Sequence, residues 1–330
     1  MSLLFRQWRL TCSFATVLTL VAFVSSAAQG NSQTSTAVTR PVISEQVSPL
    51  EAIAPLARDG FKGTAFLRKP PGAGPFPAVV IIHPGLTTIP VNVLRTLALD
   101  AAQAQRFLAA GYVVATTTYR SRDGDPQTTV SLQDSLAVVD HVRKLPYVDP
   151  KSITIFGCSG GGDLALEVAA ATDVAAIAPE EPASVLLTGI FNKDFPKAGE
   201  RHTPADAGVI FSDPRGYYTP QYQKMTREKL GRIRAPILIL QGDQDRLNLF
   251  NAQVLIPELR ALGKSLDVKT YAGEPHCFAF TGTPPRTPRP AVALQAFEDA
   301  EAFFRRHVAA KPAPIDPKLV THVDLTTERR

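Results

Sequence analysis

Four short apolar runs stand out along the chain. They are Ala78-Val79-Val80-Ile81-Ile82, Tyr112-Val113-Val114-Ala115, Ile153-Thr154-Ile155-Phe156 and Ile237-Leu238-Ile239-Leu240. Their β-branched residues are nearly continuous and do not alternate with polar ones, which suits strands buried on both faces of a parallel sheet. Two further strands are predicted at Val174–Ala178 and around Val268–Tyr271. Between them the period changes. Leu132, Leu136 and Val139 are spaced i, i+4, i+7, and Ala293, Phe297, Ala300, Phe304 and Val308 keep helical spacing for four turns. Strands alternating with helices predict an α/β fold with a mostly parallel central sheet flanked by helices. Residues 183–232 break the rhythm with Pro214, Gly216, Tyr217, Tyr218 and Pro220. They are read as an insertion over the active site, the alternative being an ordinary long connection.

The two ends differ from the middle. Arg6 and Arg9 precede an uncharged stretch from Leu10 to Val24, and Ser25-Ser26-Ala27-Ala28 supplies small residues for cleavage. That order describes a secretory signal peptide over residues 1–28, which implies a periplasmic or extracellular protein without a membrane span in the mature chain. An uncleaved anchor is the rival, but Thr11, Ser13, Thr16 and Thr19 dilute the apolar run. Residues 29–58 are rich in Ser, Thr, Ala and Pro and read as a linker or N-terminal arm. The folded domain is expected over residues 59–310, with 311–330 a surface tail.

The 330 residues carry a formal charge of +5. Without Arg6 and Arg9 the count is 33 basic against 30 acidic residues, a net +3. So weak a bias gives no reason to expect nucleic acid. Cys158 and Cys277 are the two cysteines beyond the leader, one pair in a compartment that permits a disulfide.

Gly157-Cys158-Ser159-Gly160-Gly161 matches G-x-S-x-G, directly after the strand Ile153–Phe156 and before an apolar helix, Leu164 to Ala171. A sharp strand-to-helix turn holds a serine in a strained backbone with its oxygen exposed, and the N–H of Gly160 would face an oxyanion. No lysine follows the glycines, so a phosphate loop does not fit. Serine needs a base, and the base needs an orienting group. The strand Ile237–Leu240 runs into Gln241-Gly242-Asp243-Gln244-Asp245, and the last predicted strand into Gly273-Glu274-Pro275-His276. His276 is the expected base. Asp245 is the expected acid, because an aspartate one residue past a strand, as Asp243 is, more often turns the chain. His83 is the other histidine at a strand end; His141 and His307 fall on helices. No pair has the spacing of a zinc-binding helix, so neither metal nor cofactor is expected.

This combination resembles the α/β-hydrolase fold, and within it dienelactone-hydrolase-like proteins and the catalytic domain of prolyl-oligopeptidase-type enzymes. The resemblance runs from about Gly60 to Val308. Its carriers are Pro75 to His83, Asp140 through Val148-Asp149-Pro150, the serine turn, Gly242-x-x-Asp245 and His276-x-Phe278. It implies Ser159, Asp245 and His276 as a catalytic triad. The first strand's exit usually reads His-Gly-Gly there, whereas here it reads His83-Pro84-Gly85-Leu86. Proline has no N–H to donate, so Leu86 is the expected second oxyanion donor, with Gly85 the alternative. A Pro-Gly-apolar loop is also similar to that of secreted polyester hydrolases.

Two departures concern cysteine. Relatives close to dienelactone hydrolase place a cysteine nucleophile where Ser159 stands; Cys158 could replace it only if the turn shifted by one residue. The position after the histidine, often glycine, is Cys277. Ser159 and His276 must meet, so Cys158 and Cys277 are expected to line the acyl site together, joined in a disulfide or as two small apolar side chains. Tyr119 and Arg120, at a strand end, are candidate substrate contacts, with a structural ion pair the other reading for Arg120. Glu180 and Glu181 are placed to face the cleft or to serve a structural pair.

The expected activity is acyl transfer from a carboxylic ester, small or polymeric, to water, rising with pH as His276 loses its proton near or somewhat away from 6.5. Two rivals are a peptidase of prolyl-oligopeptidase type, without room ahead of Gly60 for a propeller, and a non-catalytic binding protein that kept the fold.

Overall fold

A computed structural model of the chain describes residues 47–121, 129–190, 207–280 and 290–315. The segment read as a signal peptide, most of the residues read as an N-terminal arm and as a tail, and residues 191–206 of the segment read as an insertion lie outside these. Among the described residues eight strands form one sheet: β1 (Glu51–Ile53), β2 (Ala65–Arg68), β3 (Phe76–Ile82), β4 (Val113–Thr117), β5 (Val148–Cys158), β6 (Ala176–Glu180), β7 (Ile237–Gly242) and β8 (Leu266–Tyr271). Their spatial order is β1-β2-β4-β3-β5-β6-β7-β8. The six strands from β4 to β8 are parallel, while β1 and β2 add antiparallel at one edge. This is the α/β-hydrolase fold.

The centre of the sheet is where the continuous apolar runs predicted it. Val79, Val80, Ile81 and Ile82 are fully buried. They face in alternation two separate cores, Val80 and Ile82 in one and Val79 and Ile81 in the other. One core is covered by α3 (Thr129–Arg143) and α4 (Gly160–Ala171), the other by α2 (Ala102–Ala109) and α10 (Pro290–His307). On α10, Ala293, Phe297, Ala300 and Phe304 are buried, as is Val308 just past its end, the stripe their spacing predicted. β8 differs in having alternating half-buried and exposed positions, as an edge strand should.

Two boundaries depart from expectation. β1 lies inside the segment read as an arm; three residues are too few to show a period. β6 runs two residues later than predicted, through Pro179 to Glu180. Proline gives the ladder no N–H, yet Pro179 and Glu180 still register opposite Gly157 and Cys158. That shift carries Glu180 and Glu181 to the carboxyl ends of the strands, where the site lies.

The excursion between β6 and β7 contains α5 (Ala207–Ser212), α6 (Pro214–Tyr217) and α7 (Pro220–Arg232). Pro220 takes the first helical turn of α7, with Thr219 capping it through the Tyr222 N–H. Ile210 and Tyr222 pack on Phe250 and Val254, which follow Asp245 in α8 (Leu247–Phe250) and a π-helical turn, Asn251–Leu255. The excursion therefore rests on the element that carries the predicted acid.

Candidate active site

Ser159 sits between β5 and α4 at φ 55°, ψ −116°, a conformation that a non-glycine residue adopts only under constraint. The constraint is visible. Its N–H donates to the Glu180 carbonyl at 3.0 Å, and its carbonyl accepts from Asp163 and Ala183. A side chain at Gly157 would strike the Gly161 carbonyl, and one at Gly160 the Gly85 carbonyl. Serine at the start of a helix usually turns its hydroxyl onto the helix amides. Here it makes no capping bond. The hydroxyl is left for chemistry, next to the positive end of the α4 dipole.

His276 follows β8. Its Nδ1 lies 2.9 Å from Asp245 Oδ2, and Glu181 Oε2 approaches the same nitrogen at 3.3 Å. Asp245 Oδ1 accepts from the Leu247 N–H, which fixes the carboxylate within its own turn. Asp243, the alternative acid, is exposed and accepts from the Gly273 N–H at 2.7 Å, tying the loop after β7 to the loop after β8. Burial alone would lower the His276 pKa, but the hydrogen bonds and charges of Asp245 and Glu181 outweigh it and raise it to about 9. That lies above the reference value of about 6.5 from which the sequence reading started.

Cys158 and Cys277 are joined in a disulfide, Cα to Cα 6.0 Å. The bond links the residue before Ser159 to the residue after His276. Both cysteines are buried, so they underlie the site and do not line its surface. Cys277, like Ser159, has positive φ, at 56°.

The loop after β3 carries the predicted oxyanion donor. His83 is buried; its Nδ1 donates to the Pro84 carbonyl at 2.6 Å, and its Nε2 accepts from the Thr118 hydroxyl at 3.1 Å. Burial lowers its pKa to about 4, so it stays neutral and structural. Tyr119 stacks flat on His83 at 4.5 Å, and its hydroxyl donates to the Gly85 carbonyl. A trans peptide points its N–H opposite to its carbonyl, so Tyr119 sets the direction of the Leu86 N–H. The Leu86 side chain lies beside Gly160 and is 42% exposed. Thus Leu86 and Gly160 come together, while Tyr119, offered as a substrate contact, acts on the loop instead. Arg120 has the structural role. It forks onto Asp134 at 2.7 and 2.9 Å, reaches Asp59 at 2.9 Å, and lies over the Phe61 ring.

Glu180 and Glu181 are fully buried. Glu180 Oε1 accepts from the Ala279 N–H at 2.8 Å, and its other oxygen has no hydrogen-bond partner. Burial, then the charge of Glu181, raises its pKa to about 8. Glu181, Asp245 and His276 are close enough together to share a cation. Each is already engaged, the imidazole Nδ1 by both carboxylates and Glu181 by two amides.

The sequence pattern of the prolyl oligopeptidase family matches residues 101–311, nearly two thirds of the chain. The chain belongs to this family. The match contains Ser159, Asp245 and His276. As a member of this family, the protein is a hydrolase. Among solved structures it is similar to esterase Est22, at 17% identity and a TM-score of 0.58, covering 79% of this chain and 81% of that one. It is also similar to carboxyl esterase 2 of the mycorrhizal fungus Tuber melanosporum, at 19% identity and TM-score 0.54, covering 83% and 90%. A puromycin-hydrolyzing peptidase of Mycobacterium tuberculosis aligns at 19% identity and TM-score 0.58, covering 82% of this chain but 41% of that one. At these identities the likeness is one of fold. No curated protein sequence matches the chain.

Proposed function

We propose that the protein is an exported serine esterase that cleaves carboxylic esters through an acyl-enzyme. The observation that supports this reading is the disulfide between the neighbours of Ser159 and His276, together with the contact of Asp245 with the imidazole, an arrangement that suits a nucleophile and a base acting together. In the mechanism, His276 takes the Ser159 proton through Nε2 as the oxygen attacks the ester carbonyl. Asp245 holds the imidazole by its Nδ1–H and stabilises the cation that forms. The N–H groups of Leu86 and Gly160 receive the oxyanion, each donor contributing about 3–4 kcal/mol of barrier lowering in comparable sites. The alcohol leaves with the proton from His276, and water repeats the sequence on the acyl-enzyme. No step calls for a cofactor.

Esterases span 81–90% of their own length in two of the similar structures, which favours an ester substrate. The family match favours a second reading, hydrolysis of a peptide or amide bond. Export is part of the proposal: the leader-like residues 1–28 and the disulfide both suit an oxidising compartment. The test is a p-nitrophenyl ester series from acetate to palmitate, run beside aminoacyl amides, with wild type and Ser159→Ala. Ester turnover that disappears in the variant supports the esterase; turnover of amides alone supports the second reading. Ester turnover that survives Ser159→Ala would overturn the mechanism.

A further inference from the structure

Among the described residues, three non-glycine residues have positive φ: Ser159, Cys277 and Glu181, the last at 43°. Strained backbone of this kind persists only where the surroundings enforce it, and it clusters at functional sites. Two of the three flank or form the proposed machinery. The third is a buried glutamate with no role in the mechanism as written.

Its contacts suggest one. The Glu181 N–H donates to the Leu240 carbonyl at 2.8 Å, and this left-handed turn aims the side chain across β7. There Oε1 accepts from the Gly242 N–H at 2.7 Å. Oε2 accepts from the Cys277 N–H and lies 3.3 Å from His276 Nδ1. Gly242 ends the strand that leads to Asp245, and Cys277 follows His276. One side chain thus grips the acid loop, the base loop and the base itself. Both amide partners are donors, which the two oxygens of a carboxyl group can accept together, whereas a glutamine would turn its own NH2 toward one of them. Burial raises the Glu181 pKa, and its bonds to His276 and the Gly242 N–H oppose that rise. Asp245, in contrast, is tethered only within its own turn at Oδ1.

We propose that Glu181 is a second acid for His276, a positioning residue that shares the Nδ1 proton with Asp245 and holds the two loops in register. This inference rests on the serine-hydrolase reading above. The titratable groups that face the imidazole from the end of β6 and from the loop after β7 are Glu181, Glu180 and Asp245. Glu180 has one amide donor and an unpartnered oxygen, whereas Glu181 accepts from two amides, so of the two adjacent glutamates Glu180 is the one with an oxygen free to carry a proton.

The experiment compares ester hydrolysis by wild type, Asp245→Asn, Glu181→Gln, Glu181→Asp and the double variant Asp245→Asn/Glu181→Gln. It adds an NMR titration of the His276 ring in a Ser159→Ala background, with and without Glu181→Gln. With a second acid present, Asp245→Asn should lose only about 10²-fold in kcat, the scale of a misplaced catalytic group. The double variant should fall toward the ~10⁴-fold loss of a triad with its single acid neutralised. Glu181→Gln alone should lower kcat with little change in KM and move the His276 pKa down, and Glu181→Asp should recover part of both. Two results would overturn the proposal. One is a full ~10⁴-fold loss in Asp245→Asn that the second substitution does not deepen. The other is a folded Glu181→Gln protein whose His276 titrates as in its parent. Should Glu181→Gln not fold, the Asp245→Asn kinetics still decide. The titration needs no turnover, so a failure of the esterase reading leaves the test of Glu181 intact.

Discussion

A histidine whose Nδ1 faces two carboxylates keeps its proton longer than a free imidazole. In the proposed mechanism His276 must be neutral to accept the Ser159 proton, so activity should rise with pH through its own pKa, raised to about 9. The expected profile of kcat/KM has its acid limb well above the reference value of about 6.5. A limb centred near 6.5 would mean that the two carboxylates do not hold the imidazolium in the free enzyme. At the same scale the two aspartates after β7 separate cleanly. Asp245→Asn should slow ester hydrolysis steeply. Asp243→Asn keeps an oxygen that can accept from the Gly273 N–H and should leave kcat within a few-fold. Equal losses in steady-state kinetics would reassign the acid.

At the scale of elements, β3 is the strand on which the sheet depends, because it is buried on both faces between two cores. Ile81→Ala should destabilise by about 2–5 kcal/mol, read from a denaturant midpoint, as the surrounding side chains close only part of the cavity. The disulfide joins β5 to the loop after β8 across 119 residues. Replacing both cysteines with alanine should lower stability by about 2–4 kcal/mol. It should also lower kcat more than KM, because the loop that carries His276 would lose its covalent tie to the Ser159 turn.

At the scale of the whole molecule, several buried groups bind protons more tightly folded than unfolded, Asp163 and Glu181 among them. Glu180 is raised to about 8 and His276 to about 9. Where the folded state binds the extra proton, stability falls as pH rises. For Glu180 the fall begins above the usual carboxyl range and ends near pH 8. For His276 the contribution is complete below about 6.5 and lost as pH passes about 9. The melting temperature should therefore decline between about pH 5 and 9, and Glu180→Gln should flatten the lower part of that decline. What was legible in the sequence follows the same division between local and collective. β3, β4, β5 and β7 were readable because a strand buried on both faces must be apolar throughout. Ser159 was readable because its turn needs glycines at fixed offsets, and Asp245 and His276 because they follow strands in the right order. β1 and β2, three and four residues long, are too short to show a period, whereas β8 was read around Val268–Tyr271 although it is a half-exposed edge. Glu181 was visible as a carboxylate after a strand, but its role depends on β6 continuing past Pro179 and on a left-handed turn. Neither is encoded in spacing. The hold of Tyr119 on the loop after β3 was not legible because its partner, the Gly85 carbonyl, lies 34 residues away.

The sulfurs of Cys158 and Cys277 lie beneath the surface. A soluble thiol can attack that bond only during moments when the His276 loop lifts away from the sheet. Reduction in native buffer should then proceed at a rate that is set by the loop and does not grow with further reductant once the reductant is in excess. The buried bond would thus act as a clock, and trapping the released thiols over time would report how often the catalytic base leaves its station.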